Sequence, residues 1–435
     1  LHLAGSRQGI GKGSSISSPR PLYLIFPPIA LHVCRMNIWV ALAATLAAVG
    51  HSSGLSSGKP VPFEINLDDP PEQRWVSVAA AYKDILPAMF LAFDKLLADS
   101  LLKPDGKNKF LRSSNIPAEY IAELSGIVKT VGHENVTLDR LILFQMMYEL
   151  VLYPGASKPE APTSAGIVAV DANGTVFHGR NFDAELFFVG RGRAMNLEDV
   201  TLDLTWKRNG STVFTSVNLL GQIGVHTGMT SGGSPWSAHQ SVWLGQEAST
   251  LAQEIRSGNL ASAEAGGKIH TIVLRGLMES QIDFKEAVLR LERTRLCAPQ
   301  YLVLAGSRPW DGAILTCDRS SHAEGMNNVQ VLSQEIGRWF LLQADDDIWG
   351  DIEDKRRPDA AELVSNLGQP GITSGGMVTA MRTYPTFAFN TVFTWIAAPA
   401  TGESHIFMAS EMVDGFAGAP LSMNSGSTSL RRLRG

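Results

Sequence analysis

Cysteine is scarce in this 435-residue chain, which has only three. Cys34, Cys297 and Cys317 lie too far apart for the C-x-x-C pairs of zinc and iron–sulfur modules, and three residues cannot build a disulfide scaffold. One disulfide bridge remains possible, between Cys297 and Cys317. The alternative is that both cysteines act as small buried apolar residues. The H-E-x-x-H pattern of a helix-borne zinc site is also absent.

Charge is scarce as well, at 18% of residues, with 37 Lys and Arg against 42 Asp and Glu. Charged residues make up roughly a quarter of a typical soluble domain. The net charge of -5 and the lack of a long basic run argue against a nucleic-acid partner, and the closing stretch 431–434 is too short to change that. The 44% apolar content instead predicts a globular protein with a large core.

No apolar run is long enough to cross roughly 30 Å of hydrocarbon as a helix. The most apolar run, residues 38–50, follows Met36 and closes on small residues, as a signal peptide does. Residues 1–35 are rich in Gly, Ser and Pro, and we interpret them as unstructured sequence upstream of the real start. This pattern predicts a secreted or lysosomal protein, with an uncleaved anchor as the alternative. Three glycosylation acceptors agree with that route: Asn135, Asn173 and Asn209.

The rest of the chain changes character near residue 164. Before it, 75–101 and 138–153 have helical patterns, with a kink or split expected at Pro87 and caps at Asn135 or Thr137. After it, short apolar runs with Asn-Gly turns predict hairpins, and a capped helix is expected at 283–294. The sequence therefore predicts an α+β fold of packed sheets covered by helices. The predicted strands are 166–170, 175–179, 200–206, 212–218, 301–305, 313–317, 339–343, 387–396 and 406–409.

Several collinear segments resemble one known family. The stretch His178-Gly179-Arg180-Asn181-Phe182-Asp183 follows a hairpin that begins near Ser164, as in acid ceramidase and N-acylethanolamine acid amidase. These are N-terminal nucleophile hydrolases related to choloylglycine hydrolase. The other matching segments are 65–75, 148–149, 164–171, 298–301, 337–339, 343–349 and 354–357.

The resemblance implies an αββα sandwich and a self-cleaving chain. In the family, an internal nucleophile attacks the peptide bond before it, and its freed α-amine then serves as the base. An ungapped count places the nucleophile at Ser164, the residue that positions it at Arg180, and the carboxylate that holds the new amine at Asp183. The oxyanion-side residue falls on Asp345 and a later arginine on Arg356. His178 is interpreted as a structural strand residue.

Three departures from the family accompany the resemblance. The family has Cys at Ser164 and Asn at Asp345, and thirteen residues separate Leu150 from Ser164 where the family has only a few. A serine hydroxyl is far less ionised than a thiol and depends more on its base. An ionised Asp345 would repel an oxyanion, whereas a buried neutral carboxyl could donate to it. An alignment on Thr-Ser would instead place Pro162 at the nucleophile position.

These expectations define the domains and the function. We expect a leader and signal peptide over 1–50, a helical smaller chain over 51–163 and a catalytic domain over 164–435, with the two cleaved chains forming a heterodimer. The expected activity is hydrolysis of the N-acyl bond of a lipid amide, such as a ceramide or an N-acylethanolamine, without metal or organic cofactor. Apolar faces of the helical segment are expected to contact a membrane surface. The alternatives are a catalytically silent lipid- or protein-binding member and, from the wider superfamily, a hydrolase of bile-acid or penicillin-type amides.

Overall fold

The structure is a computed structural model, and it describes residues 59–99, 104–150, 164–184, 186–242, 251–319, 321–322, 328–345 and 356–411. The leader expected over 1–50 lies outside these residues.

The segment before residue 151 is mostly helical, as predicted. A split precedes Pro87, which stands in the first turn of the second helix, where its missing amide leaves no hydrogen bond unmade. Thr137 caps a later helix, because its Oγ1 accepts from the amide of Arg140 at 3.3 Å. The helices are α1 (Val76–Ala81), α2 (Leu86–Asp99), α3 (Pro104–Arg112), α4 (Ala118–Val131), α5 (Leu138–Gln145) and α6 (Met147–Leu150), preceded by an unpredicted strand, β1 (Val61–Asn66).

The sheet that contains Ser164 has five antiparallel strands among the described residues. Its centre is the predicted hairpin, in which an Asp171 to Thr175 connection joins two buried strands. The spatial order is β14 (Phe340–Gln343), β2 (Ser164–Val170), β3 (Val176–Asp183), β15 (Thr391–Ala398) and β16 (Glu403–Met408).

A second sheet has nine strands within the described ranges, and β1 pairs with its strand β6 in parallel. Its second predicted hairpin turns at Asn209 and Gly210, with φ of 51° and 72°, the left-handed conformations that an Asn-Gly turn favours. The spatial order after β1 is β6 (Thr201–Arg208), β7 (Ser211–Leu219), β8 (Thr227–Thr230), β9 (Trp236–Val242), β10 (Gln300–Gly306), β11 (Gly312–Asp318) and β12 (Ser321–His322), while β13 (Val329–Val331) pairs with β11. A small separate hairpin contains β4 (Phe188–Gly190) and β5 (Arg193–Met195).

The two large sheets pack face to face, with β2 and β3 against β9 and β10. Helices cover both outer faces, which confirms the predicted αββα sandwich. The second sheet is covered by α8 (His270–Glu279) and α9 (Phe284–Glu292), and the sheet that contains Ser164 by α10 (Arg356–Gly371) and α11 (Ser374–Arg382), while α7 (Leu251–Glu264) packs on α3 and α6.

A buried ion cluster, which we call the Glu123 cluster, ties the helical segment to the body. The Glu123 carboxylate accepts from Arg275 through both Nη atoms at 2.6 Å, from Arg74 at 2.9 Å and from the Trp75 indole at 2.7 Å. The Arg275 guanidinium also stacks 4.5 Å from the ring centre of Trp206. Burial raises the pKa of Glu123, but the two arginines outweigh it and leave that pKa below its usual value.

Three sequence predictions need correction or refinement. Cys297 and Cys317 are both buried and free, so the bridge between them is wrong and the buried apolar interpretation is confirmed. The strand expected over 387–396 begins only at Thr391, because two backbone turns occupy 383–391. Much of the apolar surface of α1 and α2 is buried in the core, as at Met89 and Phe93, whereas Val76 and Leu91 are exposed, and contact with a membrane stays a prediction.

The described helices were also compared with the thickness of a bilayer. None is long and apolar enough to span one alone, and Pro71–Ala81 with Leu86–Lys95 satisfies the length and composition test only as a pair bent by 95°.

Candidate active site

Ser164 is the first residue of β2. It stands opposite Phe182 on β3, and Gly166 stands opposite Arg180. A Cβ added to Gly166 would lie 2.4 Å from a ring carbon of His239 in the facing sheet. Glycine therefore lets the second sheet approach the strand two residues beyond Ser164.

Asp183 ends β3, next to the residue that pairs with Ser164, and its side chain is buried. The two carboxylate oxygens face different partners. Oδ2 accepts from Nη1 of Arg356 at 3.2 Å, and Oδ1 accepts from the hydroxyl of Thr391 at 2.6 Å. The predicted carboxylate is thus held by a cation from α10 and a hydroxyl from β15.

Asp345 lies just after β14 and is also buried. Its Oδ2 accepts from Nη2 of the same Arg356 at 2.6 Å, and its Oδ1 accepts from the hydroxyl of Ser241 at 3.2 Å. The structure therefore brings three predicted residues together: Arg356 bridges Asp183 and Asp345. We call this arrangement, with Thr391 and Ser241, the Asp183 cluster.

Arg180 lies beside this cluster and is directed toward the second sheet. Its Nη1 donates to the carbonyl of His226 at 2.5 Å and to the hydroxyl of Thr227, and its guanidinium lies 5.1 Å from the ring centre of Phe182. The His226 ring stacks on Phe182 at 5.2 Å between ring centres. Through these contacts Arg180 and Phe182 hold β3, the strand that pairs with Ser164, against the second sheet.

The described residues on either side of the longer segment before Ser164 both lie beside β3. Tyr148, in α6, packs on Phe182 with 6.4 Å between ring centres, and Phe182 pairs with Ser164. Both flanks of the inserted segment thus meet at β3. Residues 151–163 themselves lie outside the described part.

His178 has the structural position that the sequence predicts. It is fully buried between the sheets, where its Nδ1 lies 2.8 Å from the Ser237 hydroxyl and its Nε2 lies 2.7 Å from Nδ1 of His239. Burial and, to a smaller extent, the positive charge of Arg180 lower the pKa of His178 to about 3. A neutral imidazole that bonds across the sandwich connects the sheets.

The electrostatics of the site depend on two carboxylates and one bridging guanidinium. Burial raises the pKa of Asp183 to about 6, although Arg356 and Thr391 lower it, and the neighbouring Asp345 raises it as a second negative charge. Burial also lowers the pKa of Arg180 to about 10. Asp183 is thus a carboxyl whose charge changes in the mildly acidic range, as is common at active sites.

A shallow groove opens directly beside Asp183. It begins at Ala184 and Thr391, and its outer lining combines apolar and polar side chains: Phe187, Phe389, Val392, Asn196, Glu198 and Asn390. The side chains of Phe187 and Phe389 are 69% and 71% exposed. Exposed aromatic residues at a groove mouth are typical of a surface that binds apolar ligands.

Several residues of the site were not predicted from the sequence. Thr391, Ser241 and His226 hold the charged groups, but each comes from a distant strand or loop and belongs to no matching motif. Tyr148 was part of a quoted segment without an assigned role. The predicted glycosylation acceptors Asn173 and Asn209 are exposed and Asn135 is half-buried, and their modification stays a prediction. No group of three or more His, Cys, Asp or Glu within the described residues could hold a metal ion.

Comparisons with known proteins point to one family. The model of the beta subunit of N-acylethanolamine-hydrolyzing acid amidase matches residues 58–106. An N-acylethanolamine-hydrolyzing acid amidase of Caenorhabditis elegans is 25% identical over 347 residues, which cover 80% of this chain and 91% of that protein. An acid ceramidase of Rattus norvegicus is 26% identical over 362 residues, which cover 79% of this chain and 84% of that protein.

A solved structure of the Caenorhabditis elegans N-acylethanolamine-hydrolyzing acid amidase ortholog is also similar. It has a TM-score of 0.47 and 25% identity, and the match covers 54% of this chain and 93% of that one. Both sequence matches cover about four fifths of this chain, and the family model lies within the predicted smaller chain. Over most of its length the chain is thus similar in sequence to the acid ceramidase and N-acylethanolamine acid amidase family.

Proposed function

We propose that this protein is a secreted or lysosomal lipid amide hydrolase that cleaves the N-acyl bond of N-acylethanolamines or ceramides. It releases a fatty acid and an amine after cutting its own chain before Ser164. The relatives support amide hydrolysis, since they are named as N-acylethanolamine amidase and acid ceramidase. The family model for a beta subunit fits two chains, with 51–163 retained as the smaller one.

The observation that carries the proposal is the position of Asp183 relative to residue 164. Asp183 directly follows Phe182, which pairs with Ser164, and its carboxylate is oriented by Arg356 and Thr391. Self-cleavage would create an ammonium at residue 164. A fixed carboxylate on the residue next to the one that pairs with residue 164 is suited to hold that charge.

The chemistry follows from the freed amine. An α-amino group has a pKa of about 8 in water, so a modest downward shift makes it a usable base. The Ser164 hydroxyl attacks the acyl carbonyl, and its own amine takes the proton. The amine then gives this proton to the leaving nitrogen, which leaves an ester on Ser164. Water activated by the same amine hydrolyses the ester and releases the fatty acid.

Asp345 supports this chemistry through Arg356. Both oxygens of its carboxylate accept hydrogen bonds, Oδ2 from Arg356 and Oδ1 from Ser241. We infer that Asp345 orients the Arg356 guanidinium. Negative charge that develops on the substrate oxygen is then balanced by Arg180 and Arg356.

The groove beside Asp183 offers both apolar and polar contacts. Its lining combines Phe187, Phe389 and Val392 with Asn196, Glu198 and Asn390, and its inner end meets Thr391, which contacts the Asp183 carboxylate. The aromatic side chains can pack on part of an acyl chain, and the polar ones can bind an amide or a head group.

A direct assay tests the proposal. The purified protein is incubated with a fatty-acyl ethanolamide and a ceramide at pH 4–8, and the released fatty acid is measured beside Ser164→Ala and Ser164→Cys. We expect activity for the wild type, none for Ser164→Ala, and equal or higher activity for Ser164→Cys because a thiol ionises more readily. A folded wild type that releases no fatty acid from either substrate would contradict the proposal.

A second candidate function follows from the two substitutions in the site. Serine replaces the family Cys at residue 164, and Asp345 stands at the family Asn, with its carboxylate bound as an acceptor. Both favour a catalytically silent member that binds lipid or a protein partner. Activity in Ser164→Cys, with none in the wild type, would support this candidate.

A further inference from the structure

We propose that Thr391 is a positioning residue of this hydrolase, whose hydroxyl fixes the Asp183 carboxylate in the orientation that receives the amine of residue 164. The inference rests on the proposed function and adds a residue to its machinery. It depends on the direction of one hydroxyl, on the irregular strand that presents it and on the charges around Asp183.

The direction of the hydroxyl is set by a second hydrogen bond. The amide of Ala388 donates to Oγ1 of Thr391 at 3.0 Å, and Oγ1 lies 2.6 Å from Oδ1 of Asp183. Because the amide occupies a lone pair of the oxygen, the hydroxyl proton is left to donate to the carboxylate. Thr391 is therefore a fixed donor rather than a free rotor, and it is itself buried.

The strand is irregular at this position. Thr391 pairs with Asp183 and Phe393 with Phe182, so one extra residue stands on β15 between the two pairs. Such a bulge redirects a side chain, and bulges are common next to active sites. Here it places the hydroxyl against the carboxylate, two residues before the regular pairing resumes.

The groups around Asp183 leave this hydroxyl a distinct task. Arg356 from α10 approaches Oδ2, Asp345 after β14 adds a negative charge, and Arg180 on β3 adds a positive one. Arg356 is shared with Asp345, so it does not by itself fix the rotation of the Asp183 carboxylate. With Oδ1 bound to Thr391 and Oδ2 to Arg356, each oxygen keeps a lone pair for an ammonium at residue 164.

Thr391→Val tests the inference, because valine keeps the shape of the side chain and removes only the hydroxyl. The chain offers a matched control in Thr394, which lies on the same strand, is also buried, and donates from Oγ1 to Asn181 at 2.8 Å. Thr391→Ser keeps the donor and serves as the rescue variant. The readouts are kcat and KM against pH for a fatty-acyl ethanolamide, with thermal unfolding measured in parallel.

We expect Thr391→Val to lower kcat about 10- to 100-fold with KM little changed, since the lost bond was to a charged group. The acidic limb of its kcat profile should move to higher pH, because Asp183 loses a donor that favours its ionised form. Thr391→Ser should restore both. Thr394→Val should lower the unfolding temperature to a similar degree and leave the profile in place.

The outcomes separate this inference from the proposed function. An active wild type in which Thr391→Val and Thr394→Val have the same profile would overturn the role of Thr391 and leave the hydrolase intact. A wild type with no activity would overturn the proposed function instead. The link between Thr391 and Asp183 is then tested in the intact Ser164→Ala chain, by infrared titration of the carboxyl band that Asp183→Asn removes. A titration unchanged by Thr391→Val contradicts the inference, and one moved to higher pH supports it.

Discussion

The Glu123 cluster and the Asp183 cluster are both buried ion networks, but the group shared at the centre has the opposite charge. In the first, one carboxylate is shared by two arginines, Arg74 and Arg275. In the second, two carboxylates share one arginine, Arg356. The pKa of Glu123 accordingly falls below its usual value, whereas that of Asp183 rises to about 6.

The difference shows how the same residue types serve structure in one place and chemistry in another. A carboxylate with two cations stays charged at any physiological pH, so the Glu123 cluster can only hold the helical segment on the sandwich. A carboxylate that competes for one cation is poised to change its charge, and it gains from a further positive group. The ammonium formed at residue 164 would be that group.

The largest effect is expected from Asp183→Asn. We expect at least about a 1000-fold loss of self-cleavage and of lipid amide hydrolysis, because the amine of residue 164 loses its counter-charge. The free energy of unfolding should change by less than about 1 kcal/mol, since Arg356 keeps Asp345 as a partner. Activity assays and urea unfolding measure the two quantities. A stable variant with near-normal activity would remove Asp183 from the mechanism.

Glu123→Gln should produce the reverse pattern. The change leaves two buried arginines without their shared carboxylate, which should cost about 3–5 kcal/mol of the free energy of unfolding. Activity of the protein that remains folded should be close to normal. Glu119→Gln is the control, since Glu119 pairs with the same Arg74 but its side chain is 51% exposed, and we expect a loss below about 1 kcal/mol. Equal losses in the two variants would mean that the Glu123 cluster is no anchor.

Asp345→Asn should make the Asp183 cluster more like the Glu123 cluster. It removes the negative charge that raises the pKa of Asp183 and leaves Arg356 to pair with Asp183 alone. The pKa of Asp183 should fall below about 6. The acidic limb of the kcat profile should therefore move to lower pH by about one unit. A limb that stays in place would mean that Asp345 and Asp183 are not coupled.

The smallest effect is a difference in how the two clusters respond to pH in the intact Ser164→Ala chain. Because the folded pKa of Asp183 is raised to about 6, the native state holds its proton more tightly, and the stabilisation it brings is lost as pH rises through that value. The pH dependence from Glu123 has the opposite sign. Its pKa is lowered in the folded state, so the stability that it adds is lost as the pH falls through the folded pKa.

Urea unfolding of Ser164→Ala and Ser164→Ala/Asp183→Asn between pH 4 and pH 7 measures the contribution of Asp183. As the pH rises, the free energy of unfolding of the double variant should increase relative to that of the single variant, by on the order of 1 kcal/mol. Parallel curves for the two proteins would contradict a raised pKa at Asp183.

Local signals in the sequence predicted much of the fold. The Asn209-Gly210 turn and the caps at Thr137 and Asp283 depend on residues close in the chain, and each is found where the pattern places it. The hairpin that begins at Ser164 is likewise a local pattern, and the collinear motifs place Arg180 and Asp183 on it.

The two clusters could not be predicted in the same way. Arg275 and Glu123 are 152 residues apart, and Arg356 and Asp183 are 173 apart, so no spacing indicates that they meet. Thr391 lies at a bulge that follows two backbone turns, and apolar alternation does not detect either feature. In strand β9, polar residues stand at alternate positions and face the other buried sheet. A pattern of alternating apolar residues therefore does not identify this strand.

The central claim is that Ser164 becomes an N-terminal nucleophile. Intact mass and N-terminal sequencing of the protein, after incubation at acidic and at neutral pH, test it most directly. The account predicts a new chain that begins at Ser164 in the wild type and in Ser164→Cys, and a single uncut chain in Ser164→Ala. A folded wild-type chain that stays whole, or one that is cut only at other positions, would contradict it.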